Sequence, residues 1–281
     1  MIADSALATL LRRDRAIVLT ALIALTVLAW SDVLHLSKAM ADMADMPGMA
    51  AKPGMPNMPD MPMTASGLMT PVYGHWTTAH FVTMLAMWTI MMIGMMTPSV
   101  APMILLYAQV ARRSTEGPPF ASALWFTGGY LTAWAGFSLL ATVTQWSLEQ
   151  LALLSPMMMS TSHVFAGLLL IAAGLYQWLP MKYSCLARCR APLSFVMEHG
   201  GFQASAAGSV RLGLQHGLYC IGCCWALMAL LFAGGVMNLL WIAALMVFVL
   251  LEKLIPGWRY FSWASGLAAV GLGVLYLTGR M

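Results

Sequence analysis

Charged residues are scarce in this sequence. Asp, Glu, Lys and Arg make up only 9% of its 281 residues, whereas 60% are hydrophobic. Such a chain cannot cover a soluble domain with polar side chains, so the composition excludes a water-soluble globular protein. The net charge of +4 is mild. It does not suggest nucleic acid, and we expect no nucleic-acid partner.

Hydrophobic runs, in contrast, are long. A helix needs about 20 apolar residues to cross a bilayer. Seven runs of about this length are present: residues 16–36, 76–100, 120–145, 161–180, 213–233, 238–254 and 259–278. Because lipid offers the backbone no hydrogen-bond partner, each should be α-helical. The predicted fold class is all-α: a polytopic transmembrane helix bundle of about seven spans, with the lipid bilayer as a partner.

Basic residues are distributed unevenly around these spans. In a seven-span arrangement eleven of the 14 Lys and Arg residues fall on one side, and only Lys38, Lys52 and Arg280 fall on the other. Short cytoplasmic loops carry an excess of Lys and Arg. We therefore predict a cytoplasmic N-terminus and a periplasmic C-terminus.

The chain divides into three parts. Residues 1–36 form an N-terminal transmembrane helix, which looks like a signal sequence but is expected to be retained. Residues 37–74 form a Met/Pro-rich periplasmic loop, and residues 75–281 form a six-helix membrane core that carries the metal-binding motifs.

The loop is unusual because so many apolar thioethers lie in a segment that should be disordered or polyproline-like. Most of its methionines recur at every third position, which is the period of a polyproline helix. We interpret the loop as a segment that captures copper. The methionines concerned are Met40, Met43, Met46, Met49, Met55, Met58 and Met61.

The segment HGLYCIGCCW combines one imidazole with three thiols. Helical periodicity puts the four side chains on one face. They are His216, Cys220, Cys223 and Cys224. Thiolates and imidazole buried among apolar residues are costly unless something binds them, and soft ligands of this kind suit Cu(I) or zinc. The segment therefore predicts a metal site.

Two further thiols, Cys185 and Cys189, lie in KYSCLARCRAP just after the fourth span. In the predicted topology all five cysteines face the reducing compartment, where disulfides are rare. They are then metal ligands, redox thiols or small packing residues. The nearby Arg188 and Arg190 favour thiolate. Neither segment has a zinc-finger spacing, so a four-coordinate site would have to be assembled between elements.

A stripe of methionines follows one face of the second span. Thioethers bind Cu(I), although Met also fills gaps between helices. The stripe consists of Met84, Met87, Met91 and Met95, with Met92 and Met96 alongside. Met91 and Met95 are predicted metal ligands. The TPSVAP sequence that follows, with Pro98 and Pro102, should kink or interrupt the helix.

Imidazole and carboxylate groups gather at the outer ends of the spans. These harder ligands suit Cu(II) or zinc, and polar groups are also at home in the interfacial zone. The possible outer metal site consists of Asp32, His35, His75, His80 and His163.

Four sequence blocks resemble the signatures of a bacterial family of predicted metal-binding integral membrane proteins. They are WTIMMIGMMTPSVAPM, YQWLPMKYSCLARCRAPLSF, RLGLQHGLYCIGCCWALMALLF and GGVMNLLWIAALMVFVLLEKLIPG. The resemblance covers roughly residues 76–278 and implies an inner (cytoplasmic) membrane location with several passes. It also implies shared motif residues, namely Cys185, Cys189, His216, Cys220, Cys223, Cys224, Glu252 and Lys253. The first span and the Met-rich loop look like additions.

Glu252 and Lys253 lie at a helix end, where charged side chains are expected to snorkel to the cytoplasmic interface. The alternative is that Glu252 pairs with a motif Arg.

The predicted function is that of a membrane copper-binding protein that captures, holds or delivers copper, with zinc as the alternative metal. Its partner would be a copper-dependent membrane or periplasmic enzyme. Two other functions are open: an integral subunit of a copper-dependent membrane oxidase or oxygenase complex, and a membrane thiol-redox protein. Because no third group is evident to orient a Cys–His pair, metal binding and trafficking are favoured over catalysis.

Overall fold

The fold was analysed in a computed structural model. It describes the backbone of residues 2–44, 76–113, 119–154, 158, 160, 162–203 and 205–279, and within these ranges the side chains of residues 16–39, 76–112 and 122 onward. All regular elements in this part of the chain are helices, apart from one isolated bridge between Leu154 and Ser160. The predicted all-α fold class is confirmed.

Ten helices follow one another along the described chain, and each predicted hydrophobic run overlaps at least one of them. They are α1 (Ile2–Ala44), α2 (Thr78–Arg113), α3 (Pro119–Gln150), α4 (His163–Tyr176), α5 (Pro180–Arg190), α6 (Pro192–Glu198), α7 (Ala206–Ala229), α8 (Leu231–Gly234), α9 (Leu239–Leu254) and α10 (Trp258–Leu277).

Several of these helices are long and apolar enough to cross a membrane. Four stretches qualify by length and hydropathy among the described residues: Ala16–Ala39, Thr78–Arg112, Ala206–Gly234 and Trp258–Leu277. Helices α4 and α5 qualify together as a pair bent by 66°, which gives up to five. The seven-span count and the orientation stay predictions.

Helix α2 passes through the TPSVAP sequence without a break. The helix runs from Thr78 to Arg113 with Pro98 and Pro102 inside it. The prolines therefore do not interrupt the helix, and the expected kink stays a prediction. Gly94, four residues before Pro98, has no Cβ and packs closely against Ala29 and Trp30 of α1. This contact lies at the residue whose carbonyl oxygen has no helical hydrogen bond from Pro98.

Close helix contacts bring the central helices together. Gly213 of α7 packs directly on the backbone carbonyl of Phe126 in α3, where any added Cβ would collide. Gly174 of α4 and Gly266 of α10 make the same kind of contact with each other. Glycine permits such approach in apolar helix bundles. The α3–α7 contact fixes α7, which carries the HGLYCIGCCW segment, in the interior.

The charge at the end of α9 is buried. Glu252 is only 2% exposed. Lys182 Nζ donates to its Oε1 at 2.7 Å and to its Oε2 at 2.8 Å, and Ser262 Oγ donates to Oε1 at 2.7 Å. Lys182 also donates to the side-chain oxygen of Gln177. The expected snorkelling of Glu252 is therefore wrong, because a Lys from α5 neutralises its charge inside the protein. The alternative, that the Glu252 carboxylate pairs with a motif Arg, is also wrong, because its partner is Lys182.

Candidate metal centre

The His/Cys face of α7 points into the protein core. His216, Cys220, Cys223 and Cys224 are all at most 2% exposed. Helix α7 begins at a Ser205 cap, whose side chain accepts a hydrogen bond from the Gly208 amide. The predicted helical register of the motif is thus present in the structure.

Three thiols meet between α5 and α7. The sulfur atoms of Cys189, Cys220 and Cys223 all lie within 4.8 Å of one another. We call these three residues the thiol cluster. Metal–sulfur bonds of about 2.3 Å, the length found for zinc thiolates, allow one ion to reach three sulfurs at such separations. Among the described residues no other group of three or more His, Cys, Asp and Glu side chains has ligand atoms this close to one another.

Helix α5 is held in place at both ends. It starts with Pro180 in the first turn after the extended residue Leu179, and it is bent by 66° from α4. At its other end the Arg190 guanidinium donates to the carbonyl oxygens of Glu252 at 2.6 Å and Ile255 at 2.8 Å. These two bonds tie the last turn of α5, which carries Cys189, to the end of α9.

Cys220 has the most polar surroundings of the three thiols. Lys253 Nζ donates to Cys220 Sγ at 3.1 Å and to Ser99 Oγ at 2.9 Å. The Tyr130 hydroxyl is hydrogen-bonded with Cys220 Sγ at 3.2 Å and lies 3.5 Å from the Met96 carbonyl oxygen. A cation and a hydroxyl therefore face the same sulfur, and both would stabilise negative charge on it.

The remaining two cysteines, Cys185 and Cys224, lie beside the cluster and outside the group of three. Cys223 and Cys224 both direct their thiols to the Cys220 carbonyl oxygen at 3.0 Å. Cys185 is half-buried, and its sulfur packs on Gly222, where a Cβ would lie only 2.7 Å away. Cys185 and Cys224 stay predicted ligands. All five cysteines are free thiols.

His216 lies one helical turn before Cys220 but does not join the thiol cluster. Its ring is surrounded by the rings of Phe126, Tyr130 and Phe195, with centroid distances of 4.9 to 6.0 Å. Its Nδ1 is buried without a hydrogen-bond partner. A buried polar atom without a partner is unfavourable in a folded protein, so a ligand role for His216 stays a prediction.

The methionine stripe is buried along its whole length. Its members are at most 5% exposed: Met84, Met87, Met91, Met92, Met95 and Met96. Gln145 of α3 is close to the first of them, with its Nε2 3.7 Å from Met84 Sδ. No other described side chain is hydrogen-bonded to a sulfur of the stripe. The metal-ligand roles of Met91 and Met95 stay predictions.

The outer residues do not come together as a ligand group in the described structure. Asp32 and His35 are exposed on α1. His80 packs edge-on against Trp76 at 4.8 Å, and His163 lies 6.1 Å from the Tyr276 ring. His75 lies outside the described residues. The outer site stays a prediction.

Most of the Met-rich loop lies outside the described structure. Its first residues, 37–44, continue helix α1, so the predicted start of the loop at residue 37 is wrong. The backbone of residues 45–75 and the side chains of Met40 and Met43 are not described.

Three groups around the cluster were not predicted from the sequence: Lys253 and Tyr130, which contact Cys220, and Ser99, which contacts Lys253. Ser99 lies within the TPSVAP sequence, where only the prolines drew attention, and Lys253 was expected to reach the interface. Tyr130 belongs to no motif. Its one signal is a hydroxyl in the middle of an apolar span, which must find a partner when buried.

The donor set suits a soft metal ion. Three thiols are the only donors in the group, and thiolate selects Cu(I) and zinc over hard cations. Structural zinc sites take four protein ligands. The group of three sulfurs therefore fits Cu(I), or zinc with an open fourth position, and does not fit closed structural zinc.

Comparison with known proteins is consistent with this chemistry. Neither the curated proteins nor the solved structures contain a significant match to the chain. Residues 85–276 match the family PpoB2, described as a copper chaperone. The match includes both cysteine segments and most of the methionine stripe, and it confirms the predicted relation to copper. Because it covers more than half of the sequence, the chain belongs to the PpoB2 copper chaperone family.

Proposed function

We propose that the protein is a membrane-embedded chaperone that binds Cu(I) at the thiol cluster and passes it to a copper-dependent membrane or periplasmic enzyme. One observation carries the proposal: the sulfur atoms of the half-buried Cys189 of α5 and the buried Cys220 and Cys223 of α7 lie within 4.8 Å of one another. Such a group has no packing value that small apolar residues would not supply, whereas it is a natural Cu(I) ligand set.

Three ligands also suit a carrier. Metal sites that exchange ligands keep a coordination position open, whereas closed four-ligand sites are structural. In a three-thiol site an incoming ligand of the acceptor enters before a cysteine leaves, so copper need not be released into water. Lys253, 3.1 Å from Cys220 Sγ, offsets the negative charge that a copper–thiolate group brings into apolar surroundings.

The surface supports a location within a bilayer. Leucines are more than half exposed on helices around the bundle, including Leu28 of α1, Leu140 of α3, Leu168 of α4 and Leu267 of α10. An apolar surface of this extent is unfavourable in water and normal in lipid. We place the protein in the bacterial inner membrane with its N-terminus in the cytoplasm, so that the thiol cluster is in the cytoplasmic half.

Copper capture is assigned to the Met-rich loop and the outer His/Asp residues. Deletion of residues 40–63 tests this assignment. The deletion should leave the copper content of protein loaded in detergent unchanged and should lower the copper that cells accumulate on the protein at limiting external copper. Equal copper in cells with and without the loop would refute the assignment.

Metal content after anaerobic loading tests the central proposal. The purified protein is incubated with Cu(I) and Zn(II) together, and bound metal is measured by mass spectrometry. We expect about one Cu(I) per chain and little zinc, because soft thiolates without a fourth ligand favour Cu(I). Cys189→Ser, Cys220→Ser and Cys223→Ser should each lose most of this copper.

Cys185 provides a matched control. Cys185→Ser changes the same atom on the same helix as Cys189 but outside the group of three. It should keep most of the copper. Zinc in place of copper, no metal, or an equal loss in Cys185→Ser would contradict the proposed site. Formation of a disulfide with no bound metal would favour the thiol-redox function.

Transfer of the bound copper to a chelator distinguishes a chaperone from a static subunit. Copper on a chaperone should pass rapidly to bathocuproine disulfonate, a Cu(I) chelator, since its site is open to an incoming ligand. Copper that resists the chelator, together with stable co-purification of large partner proteins, would favour the oxidase-subunit function.

A further inference from the structure

A line of buried thioethers runs along α2 towards the thiol cluster. Met84, Met87, Met91 and Met95 are spaced three or four residues apart, and each is at most 5% exposed. We call these four residues the Met ladder. Side chains three or four residues apart on a helix are neighbours on adjacent turns. The ladder extends over 12 residues from Met84 to Met95, or about 17 Å of helix rise.

The far end of the ladder meets polar groups and the surface. Gln145 Nε2 lies 3.7 Å from Met84 Sδ and donates to Glu149 at 2.9 Å. Glu149 is half-buried and also accepts the Trp76 indole N–H at 2.8 Å. One turn before Met84, the half-exposed His80 packs against Trp76. An imidazole and a carboxylate thus stand where the line of thioethers begins.

The near end of the ladder lies next to residues of α2 that are linked to the thiol cluster. Ser99, one turn after Met95, accepts from Lys253 Nζ at 2.9 Å, and the same ammonium donates to Cys220 Sγ at 3.1 Å. The Tyr130 hydroxyl, which bonds to Cys220 Sγ, also lies 3.5 Å from the Met96 carbonyl oxygen. Ser99 and Met96, which flank Met95 on α2, are therefore each joined to Cys220 by one polar side chain.

We propose that the Met ladder is a path along which Cu(I) moves between the His80/Glu149 end and the thiol cluster. This inference rests on the proposed Cu(I) site. Each step exchanges one neutral thioether ligand for the next, so no electron or proton is transferred. Thioethers are among the few side chains that bind Cu(I) without adding charge.

The ladder is suited to passage and not to storage. A cation bound only by neutral thioethers keeps its full charge in apolar surroundings, which is costly. The carboxylate of Glu149 stands at one end and the thiols at the other, so copper is best stabilised at the two ends. Loss of the ladder should therefore slow copper movement and leave the equilibrium copper content of the thiol cluster unchanged.

Copper uptake into proteoliposomes tests the path. Protein is reconstituted into vesicles that contain bathocuproine disulfonate, Cu(I) is added outside with ascorbate, and the colour of the chelate is followed. Met84→Leu/Met87→Leu is the test variant, since Leu has a similar volume and no sulfur. Met103→Leu/Met158→Leu is the matched control, because both residues are 2 to 3% exposed and lie outside the ladder.

We expect the test variant to take up copper at least about tenfold more slowly than wild type, with the same copper content in detergent. The control should match wild type in both. Equal uptake by the test variant, equal slowing of the control, or no uptake by wild type would overturn the path. Copper content in detergent distinguishes failure of the thiol-cluster site from failure of the Met ladder. If the wild-type protein binds copper in detergent but vesicles take up none, only the proposed path along the Met ladder is refuted.

Discussion

Two lysines from different helices point into the same region of the protein, and their partners differ. Lys182 of α5 is fully buried and pairs with the Glu252 carboxylate, with help from Ser262 and Gln177. Its neighbour in this region, Lys253, meets the sulfur of Cys220 and a serine hydroxyl. Lys182 has a carboxylate as its partner, and Lys253 has a thiol.

This difference separates a structural group from a functional one. The Lys182–Glu252 pair is balanced in charge whether or not metal is bound, so it can fix α5 against α9 at all times. Lys253 faces a group that becomes most negative when thiolates bind copper. We therefore expect changes at Lys182 to affect stability and changes at Lys253 to affect copper affinity.

The largest effect is expected from Lys182→Met. This change leaves the Glu252 carboxylate buried without its counter-ion, which costs about 3–5 kcal/mol of unfolding free energy. Titration with denaturing detergent, followed by circular dichroism, measures the loss. Arg188→Met is the control, since the Arg188–Glu198 pair is exposed and 3.7 Å long, and it should cost less than about 1 kcal/mol.

A second substitution distinguishes charge balance from packing. Lys182→Met/Glu252→Gln removes both charges and should recover part of the lost stability. If the single and double variants unfold alike, the ion pair is not what fixes α5.

A smaller effect, of a different kind, is expected from Lys253→Met. Removal of the ammonium should weaken Cu(I) binding about tenfold, or about 1.4 kcal/mol, because a copper–thiolate group loses its nearest positive charge. Competition with a chromophoric Cu(I) chelator measures the affinity. Lys253→Arg keeps the charge and should bind within a few-fold of wild type.

Lys253→Met could instead unfold as readily as Lys182→Met and keep the copper affinity of the wild type. In that case the two lysines would have the same role. That pattern would make Lys253 a structural residue.

The smallest effect is expected from Tyr130→Phe, which removes a single hydroxyl 3.2 Å from Cys220 Sγ. A hydrogen bond of this type is worth about 1 kcal/mol, so copper affinity should fall about fivefold. Tyr176→Phe is the matched control, because the Tyr176 hydroxyl donates to the Gly222 carbonyl oxygen in the same helix as the cluster. Equal affinity in the two variants would remove Tyr130 from the site.

Local periodicity was enough to predict the helices and the face of α7. Apolar runs of span length gave the all-α class, and the spacing of His216 and Cys220 placed them on one buried face. The path of α2 through Pro98 was not predictable in this way. Whether a proline interrupts a helix depends on the neighbouring helix, and here Gly94 lets α1 pack close by.

The composition of the site was predictable in part. Thiols in two short segments suggested a shared site, but sequence spacing cannot show that Cys189 and not Cys185 meets Cys220, since the two differ by one helical turn on α5. Tertiary packing decides this choice. The roles of Lys182 and Lys253 depended on it too, because a charge near a helix end snorkels or pairs according to what lies opposite.

X-ray absorption at the copper edge of protein loaded with Cu(I) tests the thiol cluster most directly. We expect a Cu(I) edge and a first shell of about three sulfur neighbours near 2.3 Å. The copper that Cys189→Ser still binds should have one sulfur neighbour fewer, and the copper in Cys185→Ser should keep all three. A first shell that contains nitrogen or oxygen, or a spectrum that Cys189→Ser leaves unchanged, would contradict a copper site at Cys189, Cys220 and Cys223.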